Sequence, residues 1–105
     1  MRLHPEAEPE FRALVARERA AMATAIARLQ EFGIALGFPH TSKVQGADDL
    51  RELRPRAGRS AWRAFYRRIG DVLMVGSVGP EAQSNPQGFR AAVRDAERRL
   101  NEMEP

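Results

Sequence analysis

Between residues 50 and 68 the chain reads LRELRPRAGRSAWRAFYRR, seven arginines and one glutamate interleaved with Leu50, Leu53, Trp62, Phe65 and Tyr66. Guanidinium groups hold phosphate oxygens in a bidentate grip and stack on bases, as Trp and Tyr rings also do. A cluster of them repels itself until an anion answers it, so packing alone does not account for this stretch, and a phosphate-bearing ligand would. In a strand, alternate residues share a face. Arg63, Phe65 and Arg67 then fall on one side and Trp62, Ala64 and Tyr66 on the other, while Leu50, Glu52 and Arg54 line up opposite Arg51 and Leu53. A hairpin closing around Gly58 brings Arg54 beside Arg63, with Arg59 at its tip. The competing reading is structural: the arginines pair with Glu52, Asp48 and Asp49, or line a sheet edge as solubilising charge.

The elements that must position these residues can be read outward from them. DLRELR alternates apolar and charged residues and suits a strand, PRAGRS supplies Pro55 and Gly58 for a hairpin loop, and AWRAFYRR is rich in strand-favouring aromatics. VLMVGSV is apolar on both faces, as in a central strand. NPQGFRAAVRDAERRLNE opens with Asn85 as N-cap and Pro86 at the first helical position, and Phe89, Val93, Ala96 and Leu100 form its apolar stripe. Upstream, residues 5–33 read as helix, with Glu6, Glu8 and Glu10 at the start, an apolar stripe through Phe11, Val15, Met22, Ile26 and Leu29, and Gly33 as the stop. No Gly or Pro falls between residues 10 and 32, which permits one long helix or a two-helix hairpin bent near Arg17–Arg19. Residues 33–49 read as a loop, and residues 1–4 as a short edge strand. The expectation is an α+β fold, a small antiparallel meander with the N-terminal helical region and the C-terminal helix packed on one face.

Composition bounds the function. The net charge of the 105 residues is only +3, so the basic belt lies on a slightly acidic body. The length suits a single domain over residues 1–105. There is no cysteine, which excludes disulfides and thiolate metal sites, and His4 and His40 belong to no ligand motif, so neither metal nor other cofactor is expected. No apolar run approaches membrane-spanning length and the N-terminus has no signal-like apolar stretch, so the reading is a cytoplasmic protein with no membrane partner.

The order LRELRP, WRAFYRR, VLMVGSV, NPQGFRAAVRDAERRL resembles the RelE/HigB-like toxins of type II toxin–antitoxin modules, in the phage-derived addiction-toxin branch of the RelE/ParE superfamily, over about residues 6–100. The resemblance implies a ribosome-dependent, metal-independent mRNA endonuclease, neutralised by a cognate antitoxin of helix-turn-helix type. It also implies attack of a ribose 2′-OH on the adjacent phosphate, which needs a base, cationic donors and an acid. Arg54 and Arg63 match the family's strand arginines and suit charge stabilisation. Glu52 is the nearest carboxylate, a base or an organiser of Arg63, and Tyr66 is a stacking or hydrogen-bonding group. Lys43, Arg51, Arg56, Arg59 and Arg67 complete the expected RNA-binding surface, with His40 beside Lys43 in the preceding loop. One departure bears on activity: where the branch commonly carries a lysine pair after the hydrophobic strand, this chain has Gly79, Pro80 and Glu81. The alternative is therefore a non-catalytic toxin-fold protein that acts by binding, either a ParE-like gyrase inhibitor or a protein that only holds nucleic acid or antitoxin.

Overall fold

A computed structural model of the protein describes residues 2–104. In chain order it comprises β1 (Arg2–Leu3), α1 (Ala7–Arg12), α2 (Ala16–Phe32), β2 (Thr41–Lys43), β3 (Arg51–Leu53), β4 (Trp62–Ile69), β5 (Val72–Pro80) and α3 (Pro86–Met103). Short 3-10 turns occupy Gly33–Ala35 and Pro55–Gly58. The five strands form one sheet in the order β1-β5-β4-β3-β2. From β3 to β5 it is the expected antiparallel meander, β2 extends it by one antiparallel strand, and β1 adds the expected N-terminal edge strand, parallel to β5. Met1, at the start of that expected strand, lies outside the described residues.

The N-terminal helical region is two helices, and the break falls at residues 13–15, just before the expected bend. A side chain makes it. Arg19, in the first turn of α2, donates from Nη1 to the carbonyls of Arg12 (3.2 Å) and Leu14 (3.0 Å), supplying the partners that the last turn of α1 lacks. Leu14 folds into the core at the break. The far end of α2 stops at Gly33, whose φ of 58° few other residues accept. The capping of α3 follows the sequence: Asn85 Oδ1 accepts from the Gly88 amide at 2.9 Å and Pro86 occupies the first turn.

The strand faces alternate as expected, and the helices divide between them. Leu53, Ala64, Tyr66, Val75 and Val78 pack against Ala7 of α1, Leu14 at the break, and Met22, Ala25 and Leu29 of α2. Phe65 and Met74 pack against α3 through Ala92, Ala96 and Leu100, with Val44, Ala47 and Leu50 of the β2–β3 connection extending that layer. The α+β fold stands, but the face opposite α1 and α2 is covered by α3 rather than left open. Two glycines of β5 allow the approach. A Cβ at Gly76 would lie 2.8 Å from Leu100, and one at Gly79 would lie 2.5 Å from Ala92. β2 lies in what the sequence presents as loop. It holds only three residues and takes its pairing from β3, Lys43 opposite Arg51 and Thr41 opposite Leu53.

Candidate functional site

The β3–β4 hairpin closes through residues 54–61 around Pro55 and Gly58, as the sequence indicates. Arg56, Ala57 and Gly58 all have positive φ, 56°, 55° and 92°, and for the first two this is a strained conformation that the surroundings must impose. Glu18, in the first turn of α2, supplies the restraint. Its carboxylate accepts from Ser60 Oγ at 2.8 Å and from Arg56 Nη1 at 3.0 Å. Those two hydrogen bonds, that from Ser60 foremost, hold the Glu18 carboxyl below its ordinary pKa. Gly58 has a second reason to be glycine: a Cβ there would lie 2.4 Å from Arg54 Nη2, so the guanidinium lies directly on the turn backbone.

Arg54 and Arg63 do come together, and Glu52 joins them. Glu52 Oε1 accepts from Arg63 Nε at 3.4 Å and lies 3.5 Å from Arg54 Nη1. The three line a cavity of about 290 Å³ with Gly58, Glu81 and Gln83. The two arginines are not equivalent there. Arg63 is buried, and all five of its N–H groups are matched. Nη1 donates to the carbonyls of Ser60 (2.7 Å) and Trp62 (3.0 Å), Nη2 to the carbonyl of Gly58 (3.3 Å) and to Glu81 Oε2 (3.0 Å), and Nε to Glu52. A guanidinium has five donors and no more, so Arg63 is not offered to an incoming phosphate as the sequence suggests. Arg54 is the more open of the two, its side chain 22% exposed against 5%. It donates from Nε to the Pro39 carbonyl (3.1 Å) and lies 5.2 Å over the ring of Phe38, while Nη2 meets no acceptor among the described residues.

The other expected site residues are dispersed. Tyr66 is buried on the α1–α2 face, across the sheet from the cavity, as alternation requires. It therefore does not share a site with Glu52 and Arg63. Arg67 is buried too and ties elements together, donating to the backbone carbonyls of Asp49 (3.0 Å) and Asp48 (3.4 Å), to Asn101 Oδ1 (2.6 Å) and to Glu104 (3.1 Å). It is consumed by the fold and not presented to RNA. Arg51 and Lys43 are exposed neighbours on β3 and β2, on the face away from the cavity, with Arg51 held by Thr41 Oγ1 at 2.9 Å. Arg56 and Arg59 line a separate groove against α2. Among the described residues no three His, Asp or Glu side chains converge as a metal site would require.

Two contributors were not apparent from the sequence as parts of the site. Glu81, noted only as filling a lysine's place, caps Arg63, and its Oε1 accepts from Ser84 Oγ at 3.0 Å. Phe38 is 75% exposed beside Arg54, an aromatic face open to solvent. The signal for it was weak: one aromatic in a Gly- and Pro-rich loop.

The fold is that of a known structure. The E. coli toxin RelE, solved as a double arginine-to-alanine mutant in the free state, aligns with a TM-score of 0.60 over 88% of this chain and 90% of that one, at 22% identity. No curated protein matches the sequence. Residues 9–75 match the family described as phage-derived protein Gp49-like, so the chain belongs to that family, in keeping with the resemblance read from its strands.

Proposed function

We propose that the chain is the toxin of a type II toxin–antitoxin pair and that it cuts messenger RNA on the ribosome, without a metal, by attack of a ribose 2′-OH on the adjacent phosphate. The observation that carries this reading is the state of Glu52. Its Oε1 faces two arginines at 3.4 and 3.5 Å, whereas its Oε2 takes no donor among the described residues, although the side chain lines the cavity. A carboxylate fixed by one oxygen and open at the other is a positioned proton acceptor. Arginine stays protonated and cannot take that role. Glu52 Oε2 receives the 2′-OH proton, the O2′–P bond forms, and Arg54 Nη2 donates to the developing phosphorane charge. The P–O5′ bond then breaks and the 5′-oxygen takes its proton from water. Arg63 acts through Glu52, which it orients, and Glu81 keeps Arg63 in place. The family's lysines are replaced here by a carboxylate, so the cationic role falls to Arg54. The reading places the protein in the cytoplasm, with mRNA, the ribosome and a helix-turn-helix antitoxin as partners.

A second reading has its own observation. Two carboxylates answer two arginines at the cavity, leaving it without net charge. A toxin that acts by binding, ParE-like, would need no more. Induction in a bacterial host separates the two. The first reading expects growth arrest, codon-phased 5′ ends by primer extension, and loss of both on Glu52→Gln with the fold retained. Arrest that persists in Glu52→Gln, with no new 5′ ends in either strain, supports the second.

A further inference from the structure

The cavity at Glu52 is not the most basic concavity of the molecule. Between α2 and the β3–β4 turn runs a groove of about 490 Å³ edged by Arg17, Arg28, His40, Arg56 and Arg59. Its floor is Ala20, Ala21 and Thr24, small side chains that let a backbone approach α2 closely. Arg17, Arg28 and Arg59 are exposed, and none forms an ion pair among the described residues. Arg28 reaches only His40, Nη1 to Nδ1 at 3.1 Å. Arg56, in contrast, is held in place by Glu18, as part of the strained turn. Four guanidinium groups thus converge on one groove with a single carboxylate to answer them.

We propose that this groove binds the phosphodiester backbone of single-stranded RNA and guides it to the cavity at Glu52. The inference deepens the nuclease reading by adding a binding surface for the same substrate. Three features choose nucleic acid over an acidic protein segment. The groove offers no large apolar side chain in which a docking helix could anchor, whereas backbone tracking needs only cations and room. It also adjoins the cavity through one residue: Arg28, His40 and Arg56 share a small pocket with Arg54, and Arg54 lines the cavity in turn. Finally, the exposed ring of Phe38 packs against the Arg54 guanidinium, leaving a face for a base to stack on.

The test is binding of a short fluorescein-labelled 2′-O-methyl oligoribonucleotide, which has no 2′-OH to attack, followed by anisotropy across a salt series. Wild type is compared with Arg17→Gln/Arg28→Gln/Arg59→Gln. A control, Arg90→Gln/Arg94→Gln/Arg98→Gln, removes the same charge from the exposed face of α3. The groove variant should lose about tenfold or more in affinity, with a plot of log K against log salt shallower by about 2, close to the contribution of three phosphate contacts on a single strand. Phe38→Ala should weaken binding and leave that slope unchanged. Equal losses in groove variant and control, or no loss in the groove variant, would overturn the proposal. So would a polyglutamate chain that binds more tightly than the oligonucleotide and is lost only from the groove variant, which would assign the groove to an acidic protein. The outcome is independent of cleavage. Groove-dependent binding without cut messages sinks the nuclease reading alone, and cut messages with groove-independent binding sink this inference alone.

Discussion

At the scale of single residues, the arginines that look alike in the sequence have different roles. Arg63 and Arg67 are buried and matched to carbonyls and carboxylates, Arg54 is partly open, and Arg17, Arg28 and Arg59 are exposed. Alternation assigned each strand arginine to its face, but it could not say which were already satisfied. That depends on Glu81, Asn101 and Glu104, which lie far from the arginines in sequence, and on how the turn folds its own carbonyls back toward Arg63. Arg63→Ala removes a buried cation and strands Glu52 and Glu81, so it should cost about 3–5 kcal/mol in urea unfolding. Loss of toxicity in that variant would therefore not separate a lost fold from a misplaced Glu52, whereas Arg54→Ala and Glu52→Gln report on chemistry once urea unfolding shows their fold retained. Glu18 has a signature in acid. Its pKa is lowered in the folded chain, so the stability it contributes is present above the unfolded carboxyl pKa and fades as pH falls through the folded one. Glu18→Gln should flatten the loss of stability on acidification below about pH 4.5, the usual glutamate range. Chemical unfolding at several pH values measures it, and two parallel curves for variant and wild type would contradict the assignment.

At the scale of elements, the strongly patterned segments were legible and the short ones were not. β4, β5 and α3 carry long runs with clear periods and caps, and they form where the sequence places them. The three residues of β2 carry too little pattern to be told from the loop around them. The break between α1 and α2 has no Gly or Pro to mark it, because an arginine side chain terminates the first helix. The position of α3 was not legible: the sequence suggests the same face as α1 and α2, and only the structure shows that the β5 glycines, Gly76 and Gly79, admit it on the other. Gly79 demonstrates the constraint. Its Cβ would lie 2.5 Å from that of Ala92, whose carbonyl also accepts from Ser77 Oγ at 2.7 Å, so helix and strand have little freedom to part. Gly79→Ala should destabilise by about 1–3 kcal/mol through overpacking, and a compensating Ala92→Gly should recover much of the loss. If the single substitution is silent in thermal unfolding, α3 is more loosely docked than the close approach implies.

At the scale of the whole molecule, the ends of the chain are joined by one charged cluster, and it solves a problem of sheet edges. β1 pairs with β5 only as far as Val75, whose carbonyl accepts from the His4 amide at 2.8 Å. Beyond it the edge of β5 would be bare, and bare edges recruit other chains. Two side chains continue the ladder instead: Arg99 Nη1 donates to the Gly76 carbonyl at 3.0 Å, and Glu10 Oε1 accepts from the Val78 amide at 3.0 Å. The same two residues bind each other through both Arg99 Nη atoms, at 3.0 Å each, and Arg99 Nε lies 3.1 Å from Glu6 without the alignment of a hydrogen bond. Burial works to lower the Arg99 pKa, but the Glu10 hydrogen bond and the surrounding carboxylates outweigh it, so the guanidinium is held charged more firmly than usual. The sequence suggested only that Glu10 favours a helix start. Its larger task, spanning α1, β5 and α3, was not legible because its partners lie 68 and 89 residues away. Glu10→Ala should cost about 2–3 kcal/mol, the range for charge-assisted hydrogen bonds lost beside a buried partner. Stability alone would not separate edge closure from a generic ion pair; amide exchange would. If the cluster closes the edge, the Val78 amide should lose protection in Glu10→Ala by more than its neighbours on β5 do, and Glu10→Gln, which keeps an acceptor oxygen, should restore part of it. Uniform loss along β5 would mean that the pair tethers the helices and leaves the edge to other contacts.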